Sequence, residues 1–588
     1  MSFYRFAILA PAAMLTACAA SNAPLNRAVP VASAQSADAL YVNGDILTMV
    51  GNDPAYVGAL AVADGRIIYA GPRASAPAAA KTVDLGGKTL LPGFIDTHGH
   101  MVYFGKNLVD ADLVGTPDIP DLLNRMKAQA ARTPPGGWIV GFGYSVPKMK
   151  EGRAPTVEEL DSISATIPVM IVDNSGHLGA ANSAAFAAAG ITAASADPAG
   201  GTFTRKPDGK ALAGPMEETA LNLVRAKRPA FTGKMADDVM IGGARMWASM
   251  GQTTAQDCGI GLGEDDMAIV RNAINKNLLP IDLYVCAKDS ITDPMLAQAN
   301  EVRADATAGR VKLAARTDDD RRYINRVRMG GIKFWLDGAL DTAWFTQPYA
   351  NNPPGKTGVY LGYRQIEDAT LDAAFDRFWT TDIQINMHIQ GDAAADQALN
   401  AIEKAVRKYG MRDHRPVFIH ATVLRPDQIE KMRRYGAVPT FLTTSIAKAG
   451  DLAVHFWGPE RAAAAAGANT FVKAGLPFTF SHDAPVTPSP SILELVDAGV
   501  NRTTASGRVM GPDERVSPYN ALRSVTVYGA FQIKEEKTKG TLEVGKLADL
   551  VILDRNPLKV EPTTIKSIKV VETIKEGVTV YRDDAAQP

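Results

Sequence analysis

Between residues 90 and 483 one pattern recurs: a short apolar run, a turn, then a stretch with helical periodicity. The runs fall at 90–97, 167–173, 253–258, 281–286, 331–336, 384–389, 416–420, 437–442 and 477–483. Such alternation predicts a parallel sheet, because each parallel connection needs a crossover and strands covered by helices are apolar on both faces. The stretch Asp392 to Lys408 typifies the helices, with Leu399, Ile402 and Val406 on one face and Asp392 at the N-cap position. Nine runs exceed by one the eight of a (β/α)8 barrel. We assign 167–173 to an insertion over 105–235, a region punctuated by Thr133-Pro134-Pro135-Gly136-Gly137 and Pro198-Ala199-Gly200-Gly201. An insertion after the first barrel strand would lie over the C-terminal face, where barrel active sites are built.

Both chain ends read differently. Ala59 to Gly71 is an apolar run interrupted by Asp64-Gly65, a hairpin turn signal. The far end carries Leu550-Val551-Ile552-Leu553, Ile568 to Val571 and Val578 to Tyr581, again strand-like. Each end is too small for a core of its own, so 38–92 and 536–588 are expected to form one composite β-sandwich, leaving 93–535 as the barrel domain. The expected architecture is thus an α/β distorted TIM barrel with a composite sandwich and an insertion. At 588 residues the chain is long enough for both.

Residues 1–17 are read as a signal segment: Arg5 is followed by the apolar run Phe6 to Leu15, too short to span a bilayer. The phrase Leu15-Thr16-Ala17-Cys18 resembles a bacterial lipobox, which implies cleavage before Cys18 and lipidation of its sulfur. The expectation is an exported, periplasmic protein anchored to the outer membrane at Cys18, with 18–37 as a flexible tether. Lys plus Arg number 62 against 63 Asp plus Glu, which argues against a nucleic-acid partner. Cys258 and Cys286, the remaining cysteines, sit in apolar runs and are expected as separate buried thiols. A homodimer is the default oligomer.

Chemistry-bearing residues gather at the ends of the runs. His98 and His100 follow Leu90-Leu91-Pro92-Gly93-Phe94-Ile95-Asp96-Thr97 at a spacing of two, which in extended chain turns both imidazoles to one side. Two neutral imidazoles so placed make half of a metal site. His388 and His420 each end an apolar run before a helix, and Asp483 ends another. Lys333 lies inside Gly331-Ile332-Lys333-Phe334-Trp335-Leu336-Asp337, an unusual place for an ammonium, for which Asp337 offers an ion-pair partner.

The order His-x-His, Lys, His, His, Asp resembles the amidohydrolase superfamily. The phrases Pro92 to His100, Lys333 to Leu340, His388 to Asp392, Asp483 to Val486 and Gly540 to Leu550 resemble its YtcJ-like, amidohydrolase-3 branch. The resemblance implies two divalent metal ions, His98 and His100 holding one, His388 and His420 the other, with Lys333 bridging them as a CO2-derived carbamate. Asp483 would contact a metal and serve as the catalytic acid and base. Zinc suits imidazole-rich sites, and carboxylate oxygens also admit manganese or iron. His177, in Ser175-Gly176-His177-Leu178, together with Trp335 and Asp337, is expected to face substrate. The chain departs from the family's usual Gly-Ser-Asp in having Ser481-His482-Asp483, and His482 is expected to support Asp483 rather than to bind metal.

The expected activity is metal-dependent hydrolysis of a C–N amide bond in a small molecule, an N-acyl or N-formyl amine or an amino-acid conjugate. A lactonase, another ester hydrolase or a deaminase would use the same site. A lipid-anchored binding protein would require a broken ligand set, and the set is intact.

Overall fold

The computed structural model describes residues 36–173, 176, 178–198, 200–312 and 323–583. The expected signal segment, Cys18 and His177 lie outside the described residues. Eight parallel strands follow one another around a curled sheet: Phe94–Ile95, Gln252–Ile260, Asp282–Lys288, Val327–Trp335, Gln384–Ile389, Val417–His420, Val438–Phe441 and Thr479–Phe480. Contacts between its first and last strands curl it into a distorted barrel. The Thr97 hydroxyl donates to the Phe480 carbonyl at 3.0 Å, and beyond it the Asp483 N–H reaches the His98 carbonyl at 3.0 Å. Helices such as Gly233–Ser249 and Asp392–Tyr409 pack outside it.

The ninth apolar run, Val169–Asp173, joins a separate six-stranded sheet that also holds Ala111–Asp112, Ile139–Tyr144, Leu178–Ala181, Gly201–Arg205 and Leu212–Glu218. This sheet has its own apolar clusters, one around Val140, Met170 and Phe203 and another around Leu122, Ile139 and Ile171.

The chain ends meet in one eight-stranded sheet. Leu550–Leu553 pairs antiparallel with Thr89–Pro92, which in turn runs parallel to Ala37–Leu47. Strand pairing joins both chain ends in a single continuous sheet. The Asp64-Gly65 turn has both residues at positive φ, 49° and 72°, as a two-residue hairpin turn of this hand requires. The run 90–97 is split at Gly93, whose N–H bonds the Asp549 carbonyl in the terminal sheet while Phe94 enters the barrel. A Cβ at Gly93 would come within 2.3 Å of Thr253, so only glycine lets the chain cross between the two sheets here.

Beneath the barrel a buried ionic cluster ties it to the terminal sheet. Asp282 meets Lys539 and Lys575, each at 2.8 Å, and Lys575 also meets Asp549 at 2.7 Å.

Three local expectations are corrected. Asp392 is the first residue of its helix rather than the cap; Gly391 holds that position, and the Asp392 carboxylate instead accepts from the Thr346 N–H and Arg425. Cys258 and Cys286 are not separate thiols, because neighbouring barrel strands bring their sulfurs into a disulfide. The expected tether ends early, since Ala37 already pairs with Ala79. Among the described residues no helix is long and apolar enough to cross a membrane.

Candidate metal centre

The C-terminal ends of the barrel strands carry the predicted residues to one point. After Ile95 the chain stays extended along the second strand, with Asp96 N–H on the Thr254 carbonyl and Gly99 N–H on the Gln256 carbonyl. This presents His98 and His100 together, ring centroids 5.0 Å apart. Their Nε2 atoms lie 3.1 and 3.0 Å from the same Asp483 oxygen, Oδ1. His420 places its Nε2 3.8 Å from Asp483 Oδ2, and its ring stands 5.6 Å from His98 and 4.7 Å from His388. His420 and Asp483 hold φ of 67° and 56°, a left-handed backbone that non-glycine residues adopt at a cost and that concentrates at functional sites.

Burial sets the charge states. His98 and His420 are driven well below the ordinary histidine range, first by desolvation, so both imidazoles are neutral. Asp483 is held well below the carboxylate range: burial opposes its charge, but the imidazoles of His100, His98 and His420 around it outweigh that. Lys333, fully buried on the fourth strand, is pushed down to about 7 by desolvation, with Asp483 opposing. Its Nζ lies 5.1 Å from the Trp335 ring, which is half-buried beside it.

Asp337 is not the ion-pair partner of Lys333; its carboxylate is taken up by the strand that bears His388. It is fully buried, with Oδ1 on His388 Nδ1 at 3.2 Å and on the Gln390 N–H at 2.9 Å. Its Oδ2 accepts from the Gly391 N–H at 2.8 Å and the Trp344 N–H at 3.1 Å. A carboxylate on Nδ1 fixes the proton there and leaves the His388 Nε2 lone pair for a cation. His482 supports the site, as expected. Its Nδ1 accepts from the Ala484 N–H at 3.0 Å, so its proton resides on Nε2, 3.3 Å from Asp96 Oδ1. Trp247 donates to the other Asp96 oxygen at 3.0 Å, and Asp96 also accepts from the His98 N–H.

Two supporting groups escaped the sequence reading. Asp96 lies within the His98 phrase, where its spacing of two from the histidine was the available signal. Asp257, buried near His100 and raised to about 6 by desolvation, accepts from the Val102 and Gly259 N–H groups. It ends one of the apolar runs, as the ligands do. Trp138, Tyr144 and Trp457 pack in three separate apolar clusters.

The residues fit a metal. Nε2 of His98, His100 and His420 all face the Asp483 carboxylate, whose Oδ1 is buried without a hydrogen-bond partner. Lone pairs on neutral imidazoles and a carboxylate converge on a common space, and acceptors facing acceptors call for a cation between them. His98, His420 and Asp483 offer ligand atoms within 4.8 Å of one another.

The family model of the amidohydrolases matches residues 81–581. The chain belongs to the amidohydrolase family. This amidohydrolase is 26% identical over 564 residues to an N-substituted formamide deformylase of Arthrobacter pascens, covering 93% of this chain and 99% of the relative. It is 24% identical over 510 residues to the putative amidohydrolase YtcJ of Bacillus subtilis, covering 85% and 90%, and falls in the YtcJ-like, amidohydrolase-3 branch. An uncharacterized metal-dependent hydrolase from Pyrococcus furiosus superposes with a TM-score of 0.69 at 25% identity, covering 89% of this chain and 100% of that one. The protein is a metal-dependent hydrolase.

Proposed function

We propose that this amidohydrolase cleaves a C–N amide bond of a small molecule at a two-metal centre, the substrate being an N-acyl or N-formyl amine or an amino-acid conjugate. The observation that carries the reading is the convergence of four histidines and Asp483 in a barrel that also buries Lys333. His98 and His100 would hold one ion and His388 and His420 the other, zinc by ligand type, with manganese or iron as alternatives. A lysine with pKa near 7 is about half free amine at neutral pH. That amine can add to CO2 and lose its proton, and the resulting carbamate would offer two oxygens as ligands for divalent ions. Divalent ions in this place supply acidification of water and polarisation of a carbonyl.

The chain's residues do the rest. Asp483 accepts the proton of the attacking water and delivers it to the departing amine, a transfer that its position between the histidine pairs suits. Asp337 holds His388 in one tautomer, and the Asp96–His482–Trp247 cluster fixes the loop bearing His98. The name of the Arthrobacter relative supports an N-substituted formamide as the first substrate to try. The lipobox-like Cys18 supports an enzyme exported and anchored by lipid. The test is amine release from a panel of N-formyl and N-acyl amines by wild type and Asp483→Asn. Turnover is expected to fall by about 10²–10⁴-fold in the variant, whereas unchanged turnover would remove Asp483 from the mechanism.

A further inference from the structure

A cavity of about 620 Å3 lies between the insertion and the helix that follows the metal-binding histidines, a size typical of small-molecule sites. The helix Met101–Val109 starts at His100, and Tyr103, Lys106, Asn107 and Asp110 line the cavity from one face of it. The opposite wall is the insertion sheet, through Val140, Phe142, Met170 and Val172, and the segment around Arg225. Leu262 closes a third side. Gly259 joins this wall to the metal centre, since a Cβ there would lie 2.3 Å from His100 Nδ1 and 3.1 Å from Leu262. The cavity is therefore one residue removed from a metal ligand.

Most charges in the wall are already answered. Arg228 grips both oxygens of Asp110 at 2.8 and 2.6 Å, and Lys106 is paired with Asp265 and Asp266. Arg225 has no carboxylate partner among the described residues; its guanidinium meets only the Gly176 carbonyl at 3.3 Å and the Asn222 side chain at 3.4 Å. The Asn107 amide nitrogen is buried without a hydrogen-bond partner, and the Tyr103 side chain lines the cavity one helical turn before it. A guanidinium without a carboxylate, a phenol hydroxyl and an unengaged amide donor thus surround an apolar chamber. The remaining charge, Glu264, is exposed on the loop of Leu262.

We propose that this cavity is a specificity subsite for an apolar group ending in a carboxylate, with Arg225 as its anion anchor and Tyr103 and Asn107 as supporting donors. The proposal rests on the amide-hydrolase reading and narrows its substrate class to acidic N-acyl or N-formyl compounds, such as acylated amino acids. A monoanion matches one unpaired guanidinium. A dianion such as a phosphate monoester would be left under-compensated beside Asp110, Glu264, Asp265 and Asp266.

Two measurements separate the subsite from the reaction. In calorimetric titration of the purified enzyme, 3-phenylpropionate is expected to bind, and Arg225→Met to weaken it by about tenfold or more. Arg225→Lys should restore part of the loss, and phenethylamine should not bind more tightly than the acid. Equal affinity in wild type and Arg225→Met, or preference for the amine, would overturn the subsite, the first outcome meaning that the carboxylate sits on the metals instead. In turnover, the ratio of kcat/KM for N-formylphenylalanine over N-formylphenethylamine should fall by the same factor in Arg225→Met. If neither formamide is hydrolysed while the binding difference persists, the amide reading fails and the subsite stands.

Discussion

Replacing Asp337 by asparagine changes one oxygen to an NH2 and leaves the shape of the side chain. Asp337 uses Oδ1 on Gln390 N–H and His388 Nδ1, and Oδ2 on the Gly391 and Trp344 N–H groups. An asparagine has one carbonyl oxygen: placed at Oδ1 it leaves the Gly391 and Trp344 N–H groups facing NH2, and placed at Oδ2 it leaves His388 Nδ1, because the Gln390 N–H also reaches Oδ2 at 3.2 Å. At about 1–3 kcal/mol for each buried donor left unmade, the cost is about 1–6 kcal/mol. His388 also loses the carboxylate that orients its ring, for which a tenfold to hundredfold weaker metal affinity is the usual size, about 10–100-fold. The assay pairs denaturant unfolding of metal-stripped protein with competition of a chelator for the metal. Asp337→Asn should lose stability and metal affinity together. Unchanged stability and affinity with only a raised KM would refute the reasoning and return Asp337 to the substrate.

Lys333→Ala should lose metal content and activity together, and millimolar acetate or propionate should restore part of both by supplying the missing bridging oxygens; full activity without added carboxylate would exclude the bridge. His414, stacked on Trp379 with ring centroids 4.9 Å apart, is lowered to about 4 by burial and then by Lys534, so the folded state resists its protonation. Its share of stability is intact above pH 6.5 and declines as pH falls towards 4, by about 3 kcal/mol at 1.36 kcal/mol per unit. His414→Phe should flatten that slope in unfolding measured between pH 4 and 7, and an identical slope would show that His414 does not titrate there.

Much of the site was legible because barrel strands announce themselves as apolar runs and ligands sit at their ends. His98, His100, His388, His420 and Asp483 all follow that rule, and Lys333 stood out because an ammonium is costly inside such a run. What stayed hidden depends on contacts between distant segments. Asp337 shares strand parity with Lys333, yet the fifth strand brings His388 and the Gln390 and Gly391 N–H groups to it first. The Cys258–Cys286 pairing follows from the register of neighbouring strands, which apolar runs do not encode. The insertion was recognisable by its surplus strand and its Gly/Pro-rich turns. Its six-stranded pairing, and the cavity it closes over Tyr103 and Arg225, arise only once the sheet is assembled.

The central claim is that two metals on this residue set drive amide cleavage. The direct measurement is amine release from an N-formyl amine as zinc is titrated into chelator-stripped enzyme. The account predicts no turnover without metal and a rise that reaches its plateau at two ions per chain. Full turnover in stripped enzyme, or a plateau at one ion, would contradict it.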